Sequence, residues 1–133
     1  MATILLVEDD DAVRGVLHRA LVGAGHEVED ACNGDIALAA YRRQPRDLVI
    51  TDLVMPEKDG LETITALRRI NPAVKIIAIS GGGRTLGLGQ LYLETAQSIG
   101  AARILAKPFT STALLTAVTE VLAAESKPPP AAS

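Results

Sequence analysis

The stretch LVITDLVMPEKDG, residues 48–60, decides the fold. Leu48, Val49, Ile50 and Thr51 make a short, mostly β-branched apolar run of the kind that forms a strand buried on both faces. Pro56 and the pair Asp59-Gly60 then mark a turn. The chain therefore leaves a central strand at Asp52, crosses a loop and enters a helix at about Gly60, with Asp59 placed to cap it. A carboxylate at the end of a buried strand is costly, so it calls for a use.

Three other places repeat the device of an apolar run ending in a polar residue. Ile4-Leu5-Leu6-Val7 ends in Glu8-Asp9, Ile76-Ile77-Ala78-Ile79 in Ser80, and Ile104-Leu105-Ala106 in Lys107. If these runs are parallel strands of one sheet, Glu8, Asp9, Asp52, Ser80 and Lys107 converge outside the carboxyl ends of the strands, where open α/β sheets bind ligands.

Between the strands the spacing is helical. Asp10 or Asp11 can cap a first helix whose apolar residues are Val13, Val16, Leu17, Ala20, Leu21 and Ala24, ended by Gly23 and Gly25. Glu27–Cys32 is far more polar than the other strand candidates and suits an edge strand half open to water. Asn33 caps a second helix carrying Ala37, Leu38 and Tyr41 on one face, and Gln44-Pro45 stops it. A third helix turns Leu61, Ile64 and Leu67 inward, and Asn71-Pro72 closes it before a strand at Lys75–Ile79.

The run SGGGRTLGLG, residues 80–89, reads as a mobile loop. A weaker helical pattern follows from about Gln90, with Tyr92, Ala96 and Ile99 on one face, and Gly100 ends it. Arg103–Ala106 is a short last strand. The final helix is capped by Thr110 or Ser111 and carries Leu114, Leu115, Val118, Val121 and Leu122 as its apolar stripe.

Five strands alternating with five helices imply an α/β, doubly wound parallel sheet. The polar second strand and the short fifth are its natural edges, which fits the flavodoxin-like order 2-1-3-4-5 and puts the switch point between strands 1 and 3. The expected domain spans residues 1–124. The remainder, 125–133, is ESKPPPAAS, rich in proline and alanine, and reads as a disordered or extended tail.

The 133 residues suffice for one domain and leave no room for a second module. With 13 basic against 16 acidic residues, a net charge of -3 and only Tyr41, Tyr92 and Phe109 as aromatics, neither a nucleic-acid surface nor a flavin site is expected. Cys32 stands alone, so no intramolecular disulfide is expected and the thiol reads as a small buried hydrophobe. No run approaches the roughly 20 apolar residues of a membrane span, and the amino-terminal run is too short for a signal peptide, so the expected compartment is the cytoplasm. His18, on the open face of the first helix, and His26, in a turn, read as solvated.

Three convergent carboxylates repel one another by about 4 kcal/mol per pair at an effective dielectric of 20. Lys107 neutralises one. A hard divalent cation completes the site, and Mg²⁺ suits carboxylate ligands that leave positions for water and phosphate oxygens, whereas no Cys/His set exists for zinc. A carboxylate beside such a cation and a lysine can attack a phosphoryl group. Asp52, alone at the end of its strand, is the nucleophile of choice; Glu8 and Asp9 hold the metal, and the Ser80 hydroxyl donates to a phosphoryl oxygen.

The segments VEDDDAVR (7–14), TDLVMPEKDG (51–60), AISG (78–81) and LAKPF (105–109) closely resemble the receiver domain of two-component response regulators, over about Thr3 to Leu122. The resemblance implies that Asp52 is the phosphoacceptor, that Asp9, Asp52 and the Val54 carbonyl bind Mg²⁺, and that Glu8 holds metal-bound water. It implies further that Ser80 and Lys107 contact the phosphoryl group, that a cis peptide precedes Pro108, and that the donor is a histidine kinase or histidine phosphotransfer protein. With no effector domain in the sequence, output is expected through an unidentified downstream protein, and the charge balance and the lack of an apolar span leave neither nucleic acid nor membrane as an expected partner.

Two departures stand out: Ile104 replaces the aromatic residue that usually acts with the Ser80 position as a switch, and the glycine-rich loop is longer than usual. These leave a phosphorylation-independent interaction module as an alternative. An aspartyl-phosphate phosphatase of the haloacid dehalogenase kind wants a second acid two residues beyond the nucleophile, where Val54 stands.

Overall fold

The computed structural model describes residues 2–53, 60–80, 100–106 and 109–124, with the backbone alone for Ser80 and Ala106. Five strands, β1 (Thr3–Val7), β2 (Glu27–Ala31), β3 (Leu48–Asp52), β4 (Ile76–Ser80) and β5 (Arg103–Ala106), form one sheet. Four helices are described: α1 (Asp11–Gly23), α2 (Gly34–Arg43), α3 (Gly60–Ile70) and α4 (Ser111–Ala123). All neighbouring strands run parallel, in the order β2-β1-β3-β4-β5. This is the doubly wound topology expected from the alternation. The fifth helix expected from about Gln90 to Ile99, the glycine-rich run, the Asp59 cap and the tail lie outside the described residues.

The sheet is covered on both faces because its strands alternate between two apolar sets. Leu5, Val7, Val49, Ile76 and Ala78 pack with Leu38 and Tyr41 of α2 and Ile64 and Leu67 of α3. Ile4, Leu6, Leu48, Ile50, Ile77 and Ile79 pack with Leu17 and Leu21 of α1 and Leu114, Val118 and Val121 of α4. Each fully buried Leu or Ile side chain contributes roughly 1.5–3 kcal/mol, which is why β1, β3 and β4 read as unbroken apolar runs. The polar β2 is an edge, as its charges require: Glu29 takes Arg43 at 2.9 Å and also pairs with Arg46.

The helix ends follow the local chemistry. The Asp10 carboxylate accepts from the amides of Ala12 and Val13 at 2.9 and 3.1 Å, Asn33 Oδ1 from Ile36 at 2.8 Å, and the Thr110 hydroxyl from Ala113 at 3.0 Å. At the far end of α4, Lys75 Nζ donates to the carbonyls of Leu122 and Ala124 at 3.1 and 2.7 Å.

Several expectations need correction. Cys32 is exposed, because β2 ends at Ala31 and the thiol sits in the loop that follows rather than on the strand. Val16 is 53% exposed and Ala24 is exposed too; α1 beds on Leu17 and Leu21, and Val16 lies to one side of that line. The fourth strand begins one residue later than expected and includes Ser80. Neither histidine is merely solvated: His18 Nδ1 lies 2.8 Å from Asp30 Oδ1, and His26 Nδ1 accepts from the Ala2 amide at 3.2 Å.

Candidate functional acidic pocket

Strand register carries the acids to one place. Val7 pairs with Thr51, so Glu8 and Asp52 each stand one residue beyond the same rung of the sheet. Asp52 pairs in turn with Ile79, and the Leu53 amide closes on the Ile79 carbonyl at 2.9 Å. The next residue of β4 is Ser80, opposite Ala106. From β1 the chain turns into α1 on one face of the sheet, and from β3 it goes on to α3 on the other, so the two central strands open a crevice between them.

Glu8, Asp9 and Asp52 meet in that crevice, each offering a carboxylate oxygen within 4.8 Å of the others. Glu8 is 1% and Asp52 4% exposed; Asp9 is the most open of the three. The donor set is hard oxygen only, from three acids on two strand ends, which fits Mg²⁺ and not zinc. Val54, Lys107 and Pro108 lie outside the described residues, as does the Ser80 side chain. Ile104 is half-buried and packs against the α2 and α3 side of the core, opposite Ala78 in the ladder.

The loop that carries Glu8 and Asp9 is held from several directions. The Glu8 amide donates to the Ala31 carbonyl at 3.0 Å, and the Asp10 amide donates to Glu8 Oε2 at 3.2 Å. Arg14 Nη1 donates to the Glu8 carbonyl at 2.7 Å. The same guanidinium pairs with Asp11 and lies 3.8 Å from Asp30. The bond to Asp11, aided by the charges of Asp11 and Asp30, holds Arg14 above its ordinary pKa against the opposing effect of burial. Arg14 has no role in the sequence reading. The available signal was its place one helical turn past Asp10, from which it reaches back to the end of β1.

A cavity of about 500 Å³ opens at the opposite, amino-terminal ends of the strands, beside His26, Arg46, Asp47 and Lys75. It is remote from the three acids, and its charged groups are engaged within the fold: Asp47 takes the Thr3 amide at 2.9 Å, and Lys75 holds the end of α4.

Comparison with known proteins agrees with this arrangement. The family model described as "Response regulator receiver domain" matches residues 4–119. The chain is 37% identical over 131 residues to the DNA-binding transcriptional regulator NtrC of Azospirillum brasilense, covering 98% of this chain but 26% of that longer protein. It is 32% identical to the chemotaxis protein CheY of Thermotoga maritima, covering 89% of this chain and 95% of that one. The solved receiver domain of NtrX from Brucella abortus superposes with a TM-score of 0.84 at 27% identity, over 92% of this chain and 99% of that one. A doubly wound sheet with three acids at its switch point, matched from the first strand into the last helix, thus belongs to the response regulator receiver domain family of two-component signalling.

Proposed function

We propose that this receiver domain accepts a phosphoryl group on Asp52 from a phosphohistidine donor, in a Mg²⁺-dependent reaction, and that the phosphorylated form changes its affinity for other proteins. The observation that carries this reading is the convergence of the Glu8, Asp9 and Asp52 carboxylates at adjacent strand ends. Asp52 stands at the floor of the crevice on a rigid central strand, so its carboxylate is held in one orientation for in-line attack. Its oxygen forms the new bond to phosphorus as the donor's phosphorus–nitrogen bond breaks, and the bonding pair leaves with the imidazole.

Glu8, Asp9, Asp52 and the Val54 carbonyl would hold the cation, which supplies positive charge to the transferring phosphoryl oxygens. Lys107 adds an ammonium and Ser80 a hydroxyl donor to the same oxygens. A charge-assisted hydrogen bond made only in the phosphorylated form is worth about 1.5–3 kcal/mol. One such bond from Ser80 shifts a two-state equilibrium about 10- to 150-fold, enough for a signal with little movement. Ile104, half-buried beside Ala78, takes the place of an aromatic partner in that switch.

The donor is a histidine kinase or phosphotransfer protein, and the domain acts stoichiometrically rather than by turnover, in the cytoplasm, with residues 1–124 as the folded unit and 125–133 as a tail. Among the described residues, no helix is long and apolar enough to cross a membrane. Incubation with a small-molecule phosphodonor and Mg²⁺ is expected to add the mass of one phosphoryl group, and Asp52→Asn to abolish the gain. Equal labelling of that variant overturns the assignment.

A further inference from the structure

We infer that Arg14 is a positioning residue for the acidic pocket, fixing the backbone of the loop that presents Glu8 and Asp9; this rests on the metal-binding reading proposed above. Two like charges side by side on one loop, facing a third across the crevice, push that loop open. Its hold on the neighbouring structure therefore decides whether three oxygens converge. Of the contacts to Glu8 described above, two are made by backbone amides, and one is made by a side chain.

That side chain is Arg14, whose Nη1 donates to the Glu8 carbonyl at 2.7 Å. The Arg14 side chain is 18% exposed, and its guanidinium is itself oriented by Asp11 and by Asp30 at 3.8 Å. Asp30 is held in turn by His18 at 2.8 Å. A planar fork grips a carbonyl on one side and a carboxylate on another in one fixed geometry, which the point charge of a lysine on its flexible stem does not reproduce. The sequence of contacts from His18 through Asp30 to Arg14 thus braces the end of β1 from the edge strand and from α1.

The sign of the effect separates positioning from simple electrostatics. Arg14 is a cation close to a cation site, so its removal, acting through charge alone, tightens Mg²⁺ binding. Removal of a brace loosens it. Loss of a group that orients metal ligands typically costs 10- to 100-fold in affinity.

The test is the Mg²⁺ dissociation constant of the full chain, measured by calorimetry at a temperature where circular dichroism shows each variant folded. Wild type, Arg14→Gln and Arg14→Lys are compared. Arg14→Gln is expected to weaken Mg²⁺ binding by about 10-fold or more, and Arg14→Lys to recover only part of the loss. Unchanged or tighter binding in Arg14→Gln overturns the inference, as does full recovery by lysine. If Arg14→Gln does not fold, Arg14→Lys decides alone: weaker binding than wild type supports positioning, and equal binding overturns it. Failure of the wild type itself to bind Mg²⁺ counts against the metal site rather than against the brace.

Discussion

Glu8 and Asp52, the two nearly inaccessible acids of the crevice, come from neighbouring strands and end with carboxylate oxygens within 4.8 Å of each other. Burial of that kind weakens screening, and Asp9 adds a third like charge at the more open side of the pocket. Repulsion of this kind costs from about 1 kcal/mol per pair in water to about 4 kcal/mol at a dielectric of 20, and Asp9 lies nearer the first figure.

The Asp9→Asn variant should therefore be more stable than wild type without metal and less responsive to it. In EDTA its melting temperature is expected to rise by about 3–6 °C, the shift that about 1 kcal/mol produces in a domain of this size. Wild type at a Mg²⁺ concentration 100 times its dissociation constant gains about 2.7 kcal/mol, and the variant should lose most of that gain. Thermal melts of both proteins with EDTA and with Mg²⁺ check the crossing of the two effects; a variant destabilised in EDTA speaks against repulsion.

On the other side of the sheet, Asn71 Nδ2 donates to the Tyr41 hydroxyl at 3.0 Å, and the ring is 1% exposed. Removal of Asn71 strands a buried hydroxyl, whereas removal of the hydroxyl leaves an amide at the end of α3 with access to water. Asn71→Ala should cost about 1–3 kcal/mol and Tyr41→Phe about 0.5–1.5 kcal/mol. Asn71 also holds the turn after α3 through Oδ1, which accepts from the Ala73 amide at 3.0 Å, and this widens the gap. Urea unfolding of the two variants gives the comparison, and equal costs would remove the buried hydroxyl as the cause.

The strands were legible because each central one is an apolar run that stops at a polar residue, and because β2 breaks that pattern with Glu27, Glu29 and Asp30. Parallel pairing then made the convergence of Glu8, Asp9 and Asp52 a matter of register rather than of chance. What escaped the sequence reading depends on sub-turn geometry. Val16 satisfies a three-four apolar spacing with Val13 and Ala20, yet α1 rolls so that Leu17 and Leu21 face the sheet. Cys32 missed burial by one residue past the end of a strand. His18 reads as solvated and Arg14 receives no reading at all, since nothing in their spacing says that Asp30 of the neighbouring strand will contact both.

The start of α1 also bears on the pocket, because Asp10 follows the acidic pair directly. Its carboxylate accepts from two amides of the first turn, at 2.9 and 3.1 Å. Asp10→Ala should cost about 0.5–2 kcal/mol, with Asp10→Ser recovering most of it because the serine hydroxyl oxygen accepts from the same first-turn amides. Chemical denaturation of the three proteins is the measurement. A serine variant no better than alanine would show that Asp10 acts through its charge rather than through the cap.

Gly23 and Gly100 look alike in the sequence, each near the end of a helical pattern, and should respond in opposite directions to alanine. Gly23 is the last residue of α1, and a Cβ there meets nothing within 4 Å. Replacing glycine by alanine in a helix removes freedom from the unfolded chain, so Gly23→Ala should stabilise by about 0.4–1 kcal/mol. Gly100 has φ +113, and an added Cβ would lie 2.8 Å from the Arg68 guanidinium. That side chain can swing aside, so the contact itself is a minor cost. The backbone cannot follow, because a β-carbon at this φ is strained by about 1–3 kcal/mol wherever the neighbours move. Gly100→Ala should therefore destabilise by roughly that amount, and Gly100→Ala combined with Arg68→Ala should recover little of it. Full recovery in the double variant would assign the cost to the guanidinium instead of to the backbone.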